Sequence, residues 1–185
     1  TKSAFVIDAD LEGGETKTFD FRMSPHKMEN AFFDFDEVFE VRKKESNEFY
    51  DEIQKDFNCE DEKNVQRQAF AGLLWNKQFY HYKVGKWLNG DPNFPVERNF
   101  EHHVRNVEWK HMNCKDIISM PDKWEYPWFA TWDLAFHCVS FSILDPNFAK
   151  NQLQLLTKEW YMHPNGQLPA YEWDFSDVNP PVHAW

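Results

Sequence analysis

Asp133 follows directly on Trp132, at the end of a run in which five of the nine residues from Trp124 to Trp132 are aromatic. The surrounding segment, residues 121–137, reads PDKWEYPWFATWDLAFH. Aromatic rings give flat apolar platforms, and a carboxyl wedged among them is poorly solvated, so it holds its proton more tightly than in water. A raised carboxyl pKa is what a general acid needs near neutral pH. Asp122, Lys123 and Glu125 at the front of the segment set it apart from a plain apolar helix. The pattern is that of a lined pocket containing one acid. Residue types alone also leave room for Asp133 as a helix-start cap or salt-bridged core acid, and for ordinary core packing of some of the tryptophans.

Composition narrows the chemistry. The 185 residues can bury a core without disulfide or metal staples. Lys and Arg total 20 against 31 Asp and Glu, a formal charge of -11, which disfavours a surface that tracks phosphates or an anionic membrane face. Nucleic acid is therefore not an expected partner. Aromatics make up 18% of the chain while the mean hydropathy is -0.76, a balance that suits aromatic-lined concavities in a soluble protein. The sequence has no apolar run of the ~20 residues a membrane helix needs, and no basic-then-apolar segment at Thr1. Three widely spaced cysteines, Cys59, Cys114 and Cys138, form no CxxC pair and read as reduced structural thiols, which favours a cytoplasmic setting. Neither they nor the scattered histidines make a metal-ligand pattern, so no metal and no cofactor is expected.

The elements that must position the acid follow from periodicity. Residues 3–9 and 17–23 alternate, with Gly13-Gly14 between them, and predict two strands joined by a turn. Two strands make no stable sheet alone, so they read as the end of a β-domain that begins before Thr1. Phe35, Val38, Phe39, Phe49, Tyr50, Ile53 and Phe57 predict an amphipathic helix over about 34–56. Asn58, with Asp61 three residues on, predicts the cap of a second helix that runs to the Gly90-Asp91-Pro92 stop. Residues 91–127 predict a long functional loop that delivers the aromatic-acid segment. A helix is expected from near Ala130, and Asp145-Pro146 opens the next, with Phe148, Gln152, Leu156 and Trp160 as its inward stripe. Asn179-Pro180 opens one more, which the chain leaves at Trp185.

On 121–137, on WNKQFYHYKVGKWLNGDP at 75–92, on EWYMHPNGQLPAYEW at 159–173 and on DVNPPVHAW at 177–185, the chain resembles glycoside hydrolase family 63, the processing α-glucosidase-like group. The resemblance covers nearly the whole chain. It implies a mainly α fold: the N-terminal part of an (α/α)6 barrel, preceded by the last strands of a β-sandwich domain. The corresponding divisions are 1–24 for the strands, 25–57 for a linker and its helix, and 58–185 for the truncated barrel. It implies inverting hydrolysis of α-linked glucosides or mannosides in oligosaccharide processing, with Asp133 as the general acid. Trp128 and Trp132 match the subsite wall by position, and Trp124 and Tyr126 by neighbourhood. Trp75 and Tyr80 resemble the aromatics of the first barrel hairpin, and Gln167 and Glu172 fall in a segment that reaches the pocket from the next loop.

The resemblance places the family's general base on a later helix, beyond Trp185. Inversion needs two carboxyls ~6.5–9.5 Å apart, so one acid cannot complete it. The implied partners are an oligosaccharide and the remainder of the same polypeptide. A non-catalytic carbohydrate-binding, pseudoenzyme or scaffold segment is the alternative reading.

Overall fold

The computed structural model describes residues 4–93, 106–171 and 175–185. The chain divides into two units, Thr1–Glu52 and Ile53–Trp185.

In the first unit, residues 4–34 contain no strand among those described, although Gly14 adopts φ 84° in a turn. That turn is closed by the Glu15 N–H donating to Glu12 O at 3.0 Å. Phe5 and Phe21 approach to 6.0 Å between ring centroids, as the alternating pattern demands, yet no ladder joins their backbones. The expected β-sandwich strands are therefore not formed. An Arg22–Asp34 ion pair precedes helix α1 (Phe35–Ile53), and the guanidinium holds the Asp34 carboxyl below its usual range. Surface pairs such as Arg42–Glu45 at 2.9 Å line the charged side of α1, while Phe39 and Phe49 on its apolar side are exposed.

The second unit is mixed α/β. It contains α2 (Glu60–Trp75), β1 (Lys77–Lys83), α3 (Val84–Asn89), β2 (Asn113–Ser119), α4 (Thr131–Leu144) and α5 (Pro146–Leu156). Single 3-10 turns follow at Glu159–Tyr161 and Pro181–His183. The strands pair antiparallel, from Lys77 opposite Ser119 to Lys83 opposite Asn113. This arrangement overturns the (α/α)6 expectation: a two-stranded sheet stands where a continuous second helix and a long loop were expected. The reason lies in KQFYHYK, whose aromatics suit a pleated, half-buried surface at least as well as a helix. Its inward face sets Tyr80 opposite Asp116 and Tyr82 opposite Cys114. The N-cap of α2 is Cys59 rather than Asn58, and it gives no side-chain hydrogen bond.

The predicted helix starts and stops near the acid are formed. Asp145 ends α4 and caps α5, its carboxylate accepting from the Phe148 N–H at 3.0 Å with Pro146 at the first position. The side chain also pairs with Lys77 Nζ at 3.1 Å, which ties the start of β1 to this corner. The Phe141 ring is fully buried and meets Phe148 edge-on at 4.9 Å. Burial of one such ring contributes about 1.5–3 kcal/mol. Gln152 spends both ends of its buried amide on β2: Oε1 accepts from the Ser119 N–H at 3.1 Å, and Nε2 donates to Ile117 O at 3.0 Å. Phe148, Gln152 and Leu156 of the expected inward stripe thus fix the sheet as well as the core, whereas Trp160 lies past the end of α5, in the 3-10 turn, and is exposed. The final helix is only a 3-10 turn, packed against α4.

Among the described residues, no helix is long and apolar enough to cross a membrane.

Candidate functional site around Asp133

Asp133 stands at the third position of α4, which fixes its geometry through the helix start rather than through a flexible loop. Ala130, the N-cap residue, has no side chain to satisfy the free N–H groups of the first turn. The segment between the two 3-10 turns, residues 169–171, supplies the partners. The Thr131 N–H donates to Ala170 O at 2.9 Å, and the Thr131 hydroxyl donates to Pro169 O at 2.6 Å. A single antiparallel bridge between Ala130 and Tyr171 completes the splice. Thr131 is fully buried, so this junction is a rigid base directly before the acid.

The Asp133 carboxyl is half-buried and its pKa is raised, chiefly by loss of solvation; the hydrogen bond from its own backbone N–H pulls weakly the other way. The helix N-terminus also favours the ionised form, but burial dominates. Among the described residues no Lys, Arg or His forms an ion pair with it. Asp133 is thus not the cap, and among the described residues it has no salt-bridge partner.

The aromatic residues divide. Trp132 is half-buried and meets Phe136 edge-on at 6.1 Å, one turn along α4. Trp128 is half-buried against the core and takes the Tyr126 ring perpendicular to it at 5.0 Å. Trp124 is 91% exposed, and its N–H and that of Glu125 are gathered by the Asp122 carboxylate, which they hold below its usual pKa. Trp75, at the end of α2, is 70% exposed with Lys123 Nζ 5.2 Å from its ring centroid. Tyr80 is buried on the inner face of β1, a core position. Gln167 is occupied locally, its Nε2 donating to Phe175 O at 3.2 Å and its Oε1 accepting from Asn165 Nδ2 at 3.3 Å. Glu172 lies outside the described residues.

Sequence reasoning missed the polar anchor behind the acid. His137, one turn after Asp133, bonds through Nδ1 to Ser119 Oγ at 2.8 Å, and burial lowers its pKa. The i, i+4 spacing of Asp133 and His137 was the available clue. Phe136 also lines an open apolar cleft of about 330 Å³ with Pro181, Val182 and Trp185. None of the three cysteines forms a disulfide; Cys59 is exposed and the other two are buried. No group of three or more potential ligands for a metal occurs among the described residues.

The chain is 56% identical over 153 residues to "Uncharacterized protein YMR196W" of Saccharomyces cerevisiae. The match takes in 82% of this chain and spans 14% of the length of that relative. No protein-family model matches the chain. No solved structure gives a significant match.

Proposed function

We propose that this chain carries the proton donor of an inverting glycoside hydrolase acting on α-linked glucosides or mannosides, with Asp133 as the general acid. The observation that carries the reading is the environment of that carboxyl: half-buried, without a cationic partner among the described residues, and holding its proton more tightly than a free aspartate. The resemblance of residues 121–137 to family 63 supplies the reaction class; the geometry supplies a fixed acid beside Trp132 at the head of α4. In this role Asp133 gives its proton to the leaving glycosidic oxygen, and a second carboxylate activates water on the opposite face of the ring. The resemblance puts that second group beyond Trp185, and the chain spans 14% of the length of the yeast relative it matches. In the whole polypeptide, Asp133→Asn should lower release of sugar from an α-linked disaccharide by about 10²–10⁴-fold. An unchanged rate would remove Asp133 from the chemistry.

A second reading, a non-catalytic scaffold segment, is favoured by the outer side of α4, where Phe136, Val139 and Ile143 are exposed. It predicts self-association of the chain, and a monodisperse monomer by analytical ultracentrifugation counts against it.

A further inference from the structure

The start of β2 and the 3-10 turn at Glu159–Tyr161 enclose an open cleft of about 390 Å³, lined by His111, Asn113, Lys115, Asp116, Glu159 and Trp160. None of these residues belongs to the Asp133 surroundings. The volume lies in the range of small-molecule sites. Its walls are held by two pins. His111 Nε2 lies 3.1 Å from both Glu159 O and Met162 O, two acceptors, so this nitrogen carries the proton and clamps the turn to the strand. From below, the buried Tyr161 hydroxyl donates to Asp116 Oδ2 at 3.2 Å, fixing one oxygen of a carboxylate that lines the cleft.

The chemistry of the lining selects the ligand. Trp160 is 38% exposed and offers an indole surface, with Lys158 Nζ 5.2 Å from its ring centroid. Around it stand two carboxylates, one ammonium and one amide. Two carboxylates, in a chain of net charge -11, oppose a phosphate or a nucleotide. A purely apolar ligand would strand the polar groups. A neutral polyhydroxylated ring satisfies both features, with its C–H face on Trp160 and its hydroxyls on Asp116, Lys115 and Asn113. We infer that this cleft is a second saccharide-binding site, separate from the Asp133 site, that holds one or two α-linked hexose units of the oligosaccharide. The choice of sugar rests on the glycosidase reading above; the cleft itself does not.

Titration of the 185-residue chain with maltose and with α-linked mannobiose, followed by calorimetry and by saturation-transfer NMR, tests it. Trp160→Ala should weaken binding by about tenfold, with Trp160→Phe recovering part of the loss. Lys115→Ala, at an exposed position that the core does not need, should weaken it several-fold. Wild-type affinity in both Trp160→Ala and Lys115→Ala, or no binding of either disaccharide to the wild-type chain, overturns the cleft assignment. Loss confined to Asp133→Asn and Trp128→Ala also overturns it, while leaving the glycosidase reading in place. Normal hydrolysis by the Asp133→Asn polypeptide would instead remove that reading and leave the cleft standing.

Discussion

Thr131→Val isolates the junction that fixes the acid. The substitution keeps the β-branched shape and nearly the volume of a side chain that is 0% exposed, so no cavity opens. What disappears is the hydroxyl that donates to Pro169 O at 2.6 Å. Pro169 is itself fully buried, so its carbonyl cannot turn to water for a replacement. Leaving one buried acceptor unmet costs about 1–3 kcal/mol, and that is the expected loss of stability. Thr131→Ala should cost about 1 kcal/mol more, because a buried methyl goes as well. Urea unfolding of the chain gives both values from the shift in midpoint at constant slope. Amide exchange adds a local readout: the Thr131 N–H, bonded to Ala170 O, should lose protection in the valine variant before the core of α4 does. A Thr131→Val midpoint equal to wild type, with Thr131 protection intact, would show that residues 169–171 do not brace the start of α4.

Four further outcomes are expected. Burial raises the Asp133 pKa above its unfolded value, so the wild type loses stability as pH rises through that raised pKa; Asp133→Asn should therefore be the more stable form at neutral pH, with the gain vanishing below about pH 4. Asp145 has the opposite sign: the Phe148 N–H and Lys77 lower its pKa, so its contribution is present above the usual aspartate range and fades as pH falls through the lowered value. Asp145→Ala should cost about 1 kcal/mol at pH 7 in urea unfolding, from loss of the α5 cap. Gln152→Leu strands the Ser119 N–H and the Ile117 carbonyl together and should cost about 2–4 kcal/mol by the same assay. A thiol reagent should titrate Cys59 quickly in the native chain, and Cys114 and Cys138 only on unfolding, since burial pushes the Cys138 thiol up to about 11.

The helices that carry strong local instructions were legible. α1 has a sustained periodic stretch, and Asp145-Pro146 states a cap and a helix start within two residues. The strands were not, because β1 is made by a partner thirty or more residues away, and KQFYHYK, read alone, continues the aromatic tail of α2. The reverse error occurred at residues 3–23, where alternation promised strands but, among the described residues, no backbone ladder forms although Phe5 and Phe21 meet. For the candidate site, the type and place of Asp133 could be read, as could the half-buried Trp128 and Trp132. The roles of Tyr80 and Gln167 could not: one is spent on the core and the other on its own loop, and both outcomes depend on tertiary neighbours rather than residue type. His137 escaped notice because its meaning comes from Ser119, eighteen residues earlier and on another element.

The most direct measurement compares two substrates on the whole polypeptide. An α-glucosyl fluoride has a leaving group that needs no proton, whereas an α-linked disaccharide has one that does. If Asp133 is the general acid, Asp133→Asn should reduce disaccharide hydrolysis by about 10²–10⁴-fold while leaving fluoride hydrolysis close to wild type. Equal losses on both substrates, or no loss on either, would contradict the assignment of Asp133 as proton donor.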